Sequence, residues 1–254
     1  METLELTAMV NDFAIRSFRD VADDDYIAAR MALRATLVPQ FLWSSLQAIE
    51  KYLKAILLLN RTRSTEPTHR VSALLTKVEN IGKLQFRIST PAREFVDYLN
   101  MYGRFRYLEV SYYGRGREII SLDRAVWEIR RYCNRLDYSR KQSDGTIVHM
   151  LEHELRQIQQ SERDPKTFPW FQGELEEILT DRKHPARPGL VWNNFYFGSR
   201  RRKSIRVVDW YEGVNSPLAL YPELFEEVRK YVFLPKAMVD DFKELLRTRA
   251  ATRM

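Results

Sequence analysis

Cysteine is nearly absent. Cys133 is the only one in 254 residues, so no internal disulfide can form, which fits a reducing cytoplasm. Cys133 falls in a helical pattern and reads as a packed residue, not a reactive one. Glycine is also sparse, nine in all. Neither GxxxxGK nor GxGxxG occurs, and GRG at 114–116 is too short to cradle a phosphate. The longest apolar run is AILLL, Ala55 to Leu59, far short of the ~20 residues a membrane span needs. The opening METLELTAMVNDF has no Lys or Arg before Arg16. It therefore lacks the basic region and apolar core of a secretion signal, and a cytoplasmic location is expected. There is no repeat of fixed period and no Ser-His-Asp order.

What is abundant is positive charge, and it is uneven. Residues 1–50 hold 4 Lys/Arg and 8 Asp/Glu, a net of −4, whereas residues 51–140 hold 18 and 9, a net of +9. Residues 141–254 hold 19 and 17, a net of +2. An anionic partner would be drawn to the middle of the chain. The ordinary alternative is a set of well-solvated helix faces.

The first half reads as helices. Asp23, Asp24 and Asp25 precede an Ala-rich run to about Leu37, acids suiting a helix start. Beyond Pro39, Leu46, Ile49, Leu53, Ile56 and Leu57 recur at spacings of three and four, with Glu50 and Lys54 paired on the outside. A short helix begins near Thr68 or His69 and ends by Gly82. Another starts at STPARE, with Thr90 as N-cap and Pro91 in its first turn. A fifth follows Ser121, with Leu122, Val126, Ile129 and Cys133 on one face and Arg124, Arg130, Arg131 and Arg135 on the other.

The polar run YSRKQSDG marks a joint near residue 141. A helix over TIVHMLEHELRQIQQ and a short acidic one over FQGELEEILTD are expected next. LVWNNFYFG and SIRVVDWYEG, joined by SRRRK, read as a β-hairpin at about 188–213. Two proline-opened helices end the chain. The expected fold is therefore mainly α: an up-and-down helical bundle over 1–140, then an α+β region over 141–254 with a basic β-hairpin and terminal helices.

The run LQAIEKYLKAILLLN, a polar spacer and THRVSALLTKV carry a more specific signal. Glu50, Lys51, Lys54 and Ala55, then Thr68, His69, Leu74 and Leu75, then Arg106 and Tyr107, resemble in order and spacing the HEPN domain family over roughly residues 18–138. That resemblance implies an up-and-down bundle that often dimerises. It also implies association with nucleotidyltransferases or with toxin–antitoxin and antiphage systems. Many such proteins are metal-independent RNases whose motif is an Arg, four to six residues, then a His, with a Tyr two residues later in one branch. An Arg can stabilise charge at a phosphorus under attack by a 2′-hydroxyl while His moves protons near neutral pH.

On this chain the motif Arg falls on Arg106, its His position on Ser111 and its Tyr on Tyr113. A start at Arg104 reaches Glu109 and finds no His either. Serine has no group titrating near pH 7, so proton transfer lacks its carrier. Arg106 could still hold phosphate, and Tyr112 or Tyr113 could stack on a base. The bland reading is a salt bridge and core-edge tyrosines at the bundle end.

Three other stretches invite a function. HMLEH, His149 to His153, matches His-x-x-Glu-His but has no identifiable third ligand, so no metal and no cofactor are expected. His69 reads as a capping or packing residue, with a catalytic role the sharper alternative. Arg200, Arg201, Arg202 and Lys203 sit at the expected hairpin tip beside aromatics, where they could clamp a phosphate backbone or keep strand edges apart.

The sequence thus points to a HEPN-like protein that binds RNA, nucleotide or a partner without being a competent nuclease. Its expected contacts are Arg104, Arg106, Arg115 and Arg117, with Tyr107, Tyr112 and Tyr113 beside them. Expected partners are a second copy, RNA or nucleotide, and a protein encoded nearby; no membrane is expected. The alternatives are a divergent RNase using Arg106, with His69 or another base and Tyr113, and a pure interaction module.

Overall fold

The structure, a computed structural model, describes residues 2–64, 70–103, 110–163, 173–198, 204–234, 239–240, 242–243 and 247. The chain forms two compact units, residues 1–104 with 115–210, and residues 105–114 with 211–254.

The first unit opens with α1 (Glu2–Ala14), which the sequence reading did not foresee, and a π-helical stretch (Ile15–Asp20) that runs without a break into α2 (Val21–Arg34). The helix expected to start at Asp23 thus begins much earlier. Its acids divide: Asp23 is buried, one turn inside the helix, and Asp24 is exposed. Next come α3 (Val38–Leu59), α4 (Val71–Glu79) and α5 (Thr90–Tyr102). After β1 (Tyr112–Arg115) come α6 (Glu118–Arg130), β2 (Ser139–Lys141), β3 (Ile147–His149), α7 (Leu151–Arg163), α8 (Glu174–Thr180) and α9 (Arg187–Val191).

The long helix α3 is the axis of this unit. It packs on α1, α2, α4, α5 and α6, and its stripe of Leu46, Ile49, Leu53, Ile56 and Leu57 is buried as the spacing predicts. Pro39 sits in its first turn and opens the helix instead of ending the preceding one. Glu50 does bond Lys54 at 2.5 Å, but Glu50 is buried, not outside. The N-cap of α5 is Ser89 and not Thr90: Ser89 is extended, its hydroxyl accepts from the Ala92 N–H, and Thr90 is already helical. At the other end of α5, a Cβ on Gly103 would lie 2.9 Å from the Leu42 carbonyl oxygen, so glycine lets α5 close against α3.

Buried charge ties the bundle together. Arg130 donates to both oxygens of Asp23 at 2.7 Å and to both of Glu176 at 2.7 and 2.8 Å. The Tyr52 hydroxyl donates to Asp23 at 2.6 Å. Beside this, Arg30 donates to Asp123 and to the Gly189 and Trp192 carbonyls, and Tyr26 donates to Asp123 at 2.6 Å. Burial pulls both arginines down, and the neighbouring carboxylates, with the hydrogen bonds, outweigh it, so both are held above the ordinary range. Burial also pushes the Tyr26 and Tyr52 hydroxyls well up, so both remain donors. The expected basic outer face of α6 is therefore split, since Arg130 and Arg131 are buried.

A hairpin does form, although among the described residues of 188–213 only 211–213 are in a strand. It is β2 with β3, antiparallel, Ser139 opposite His149, with the turn in the expected joint. Residues 187–191 are helical. Asn194 folds the next turn by accepting from the Tyr196 and Phe197 N–H groups at 3.0 and 2.9 Å. Phe197 then packs edge-on to Tyr26 and Trp127. Of the aromatics that suggested a strand, Phe197 is core filling, while Trp192, Phe195 and Tyr196 are half-buried. Residues 173–198 thus fold onto the bundle within one unit, although the joint at 141 lies between them in sequence. The expected helix over 146–160 starts only at Leu151, and the one following Ser121 starts three residues earlier, at Glu118.

In the second unit β1 pairs with β4 (Tyr211–Val214), followed by α10 (Pro217–Leu220) and α11 (Leu224–Val228). Leu218, Phe225, Val239 and Phe242 form its core, with the Phe225 and Phe242 rings stacked at 4.1 Å.

Removing one partner of a buried pair leaves a charge without compensation. Arg130→Ala is expected to lower unfolding free energy by about 3–5 kcal/mol, whereas Arg93→Ala, which breaks a surface pair with Glu79, should cost under about 1 kcal/mol. Urea unfolding of the two variants would show comparable losses if the buried network were not the stronger constraint.

Candidate functional site

The motif segment lies after α5. Residues 104–109, and so Arg104, Arg106 and Tyr107, lie outside the described residues. So do His69 and the basic cluster Arg200, Arg201, Arg202 and Lys203. Ser111, Tyr112, Tyr113, Arg115 and Arg117 are described.

In the second unit, Ser111 has a structural partner. Its hydroxyl accepts from the Ser216 N–H at 3.0 Å, and Ser216 is in turn the N-cap of α10, accepting from Leu218 at 3.1 Å. The residue at the motif His position therefore anchors a turn. Tyr113 stacks on Tyr211 with ring centres 6.2 Å apart. Burial and the Glu212 charge raise the Tyr112 hydroxyl, keeping it protonated.

In the first unit, the chain turns from β1 into α6 at Gly116. A Cβ there would come within 2.2 Å of the Val208 carbonyl oxygen, and the Gly116 N–H donates to the Trp210 carbonyl at 3.0 Å. Only glycine permits that approach. Arg117 pairs with Asp209 at 3.3 Å on the surface, an interaction of small worth in water. The next residue, Glu118, is 8% exposed. Burial drives its carboxyl up to about 7, against the opposing pull of the Tyr98 hydroxyl bond, the Arg115 N–H and the Arg115 and Arg117 charges. Tyr98 donates to it at 3.0 Å. Sequence reading passed over Glu118 because a glutamate in a first helical turn ordinarily serves the helix dipole. Its one signal was its place directly after GRGR. A carboxyl near 7 beside two arginines can hold or accept a proton at neutral pH.

The two histidines of HMLEH part company. His149 is in β3, where Nδ1 is 2.9 Å from the Ser139 hydroxyl; His153 is in α7, with Nε2 2.7 Å from the Gln157 amide. Among the described residues no group of three or more His, Cys, Asp or Glu side chains could hold a metal. No described helix is long and apolar enough to cross a membrane.

The architecture is that of a mostly helical bundle with a small antiparallel hairpin. Within it, residues 15–136 match the family model of the HEPN domain, and the rest of the chain has no family match. This stretch is thus similar to HEPN domains, a class associated with nucleotide binding or RNase-like activity and commonly dimeric. No curated protein and no solved structure matches the chain.

The raised Glu118 carboxyl makes stability depend on pH. The folded protein holds this proton more tightly than the unfolded chain, whose carboxyl titrates near 4.5. Its contribution is greatest below about 4.5 and is lost as pH rises through about 7. The loss amounts to about 3 kcal/mol. Glu118→Gln should flatten the stability profile between those values in urea unfolding at stepped pH; an unchanged slope would mean the carboxyl is not shifted.

Proposed function

We propose that this HEPN-like protein binds RNA or nucleotide phosphate through the segment Arg104–Arg117 and does not cleave it. Ser111 carries this reading. It stands where a HEPN nuclease keeps its histidine, and its hydroxyl is bonded to the Ser216 N–H. A serine has no group that titrates near neutrality, and this one already accepts a backbone bond. Phosphate binding needs only guanidinium and N–H donors, and the surrounding chain, net +9 over residues 51–140, supports it. The cellular setting proposed is a toxin–antitoxin or antiphage pair with a neighbouring gene product.

Wild-type protein should retard labelled single-stranded RNA in a gel, more weakly as salt rises. Arg106→Ala should bind about tenfold less tightly, with RNA intact throughout in EDTA. Equal retardation by both proteins would remove Arg106 from the contact. A stable complex with the neighbouring gene product and no RNA affinity at physiological salt would favour an interaction module instead.

A second reading, a metal-independent RNase, is favoured by Glu118, whose carboxyl sits near 7 a few residues beyond the motif. It requires RNA cleavage in EDTA that is lost in both Arg106→Ala and Glu118→Gln.

The partner proposed for the bundle is a second copy. Supporting this, Leu6, Met9 and Phe13, spaced three and four residues apart on α1, are each more than half exposed. Sedimentation should give a dimer for the wild type and a monomer for the double variant Met9→Glu/Phe13→Glu; a monomeric wild type would end this reading.

A further inference from the structure

Among the described residues of the first unit four arginines are buried, and one of them differs from the others. Arg19 is paired with Asp20 at 2.9 Å and bonded to Asn134. Arg30 is hydrogen-bonded to Asp123, and Arg130 to Asp23 and Glu176. Arg131 is 2% exposed, yet its hydrogen bonds go to neutral acceptors: the Trp127 carbonyl at 3.2 Å, the Ile158 carbonyl at 2.7 Å and the Ser161 hydroxyl at 2.6 Å. The nearest carboxylate among the described residues, Glu162, stands 3.9 Å away and is half exposed. A buried guanidinium without a bonded counter-charge is costly. Its state confirms the contrast: burial holds Arg131 below the ordinary arginine range, while Arg30 and Arg130 lie above it.

Arg131 lines a cleft of about 430 Å³ between the N-terminus of α5, the outer face of α6 and the end of α7. Two further guanidinium groups border it. Arg124 gives one bond, at 3.3 Å, to the Tyr196 hydroxyl, and the exposed Arg87 side chain has no ion pair among the described residues. The wall is aromatic, Tyr196 stacked on Trp127 with centres 5.8 Å apart. Glu128 also borders the cleft, but its two oxygens are committed to the Ser89 N–H and hydroxyl at 2.6 and 2.8 Å. Glu162 remains as an exposed acceptor.

We propose that this cleft binds a nucleoside monophosphate, with the phosphate on Arg87, Arg124 and the outer N–H of Arg131, and the nucleoside against Tyr196 with a ribose hydroxyl toward Glu162. The volume suits one nucleotide and no polymer. Three arginines against two glutamates leave a single net positive charge, which falls short of a phosphomonoester's roughly −1.5 to −2 at neutral pH by less than it does of a triphosphate's larger charge. Guanidinium groups supply the paired donors that phosphate oxygens accept. The site is separate from the Arg104–Arg117 segment and does not depend on it.

The test is calorimetric titration of the full chain with AMP, ATP, adenosine and inorganic phosphate. AMP is expected to bind with Kd below about 1 mM, and the other three at least about tenfold more weakly. Arg87→Gln and Arg124→Gln, which leave the buried network intact, should each weaken AMP by about tenfold. Glu162→Gln should not weaken phosphate, since it removes a like charge. AMP saturation should also raise the melting temperature of wild type and not of the double arginine variant. Absence of AMP binding at about 10 mM, phosphate binding as tight as AMP, or unchanged affinity in both arginine variants would overturn the proposal.

Discussion

Arg130 is the constraint on which the first unit rests. A single guanidinium clamps Asp23 of α2 and Glu176 of α8 in two bidentate pairs, and Tyr52 of α3 bonds the same Asp23. Four helices far apart in sequence are thereby fixed around one charge. Such a cluster adds little net stability over an apolar core of equal volume, but it tolerates few alternative registers. A slip of α2 by one residue would strand Asp23, Tyr26 and Arg30 together. The second cluster, around Asp123, repeats the arrangement about two turns back along α6 and extends it to the Gly189 and Trp192 carbonyls and to Asn194. This is how residues beyond the HEPN match become part of the same unit.

The same network explains what the sequence concealed. Apolar periodicity located α3 well, because leucine and isoleucine at helical spacing have one reason to be there. Charged residues have several. Asp23, Arg130 and Arg131 looked like helix-dipole acids and a solvated basic face, and only the tertiary partners distinguish a buried arginine from an exposed one. The aromatic run at 192–197 carried the compositional mark of a strand, yet Asn194 turns it and Phe197 enters the core. Thr90 read as the cap on paper; the extended backbone at Ser89 moved the cap one residue back.

The motif segment shows the reverse. Its meaning came from the order of residues, since Ser111 at a histidine position is visible in one dimension. What the fold added was the hydroxyl's occupation by Ser216 and the identity of a titrating neighbour, Glu118. Neither follows from spacing. Ser216 lies over a hundred residues away, and the Glu118 proton affinity comes from burial that outweighs the Tyr98 bond.

The solitary thiol gives the bundle a built-in clock. Cys133 is wholly enclosed, donates to the Tyr52 carbonyl at 3.3 Å, and is pushed far above the ordinary thiol range by burial. An alkylating reagent can reach it only after α6 lifts from α3. Because no second sulfhydryl competes, the labelling rate under native conditions reports the frequency of that opening directly, with no engineered probe.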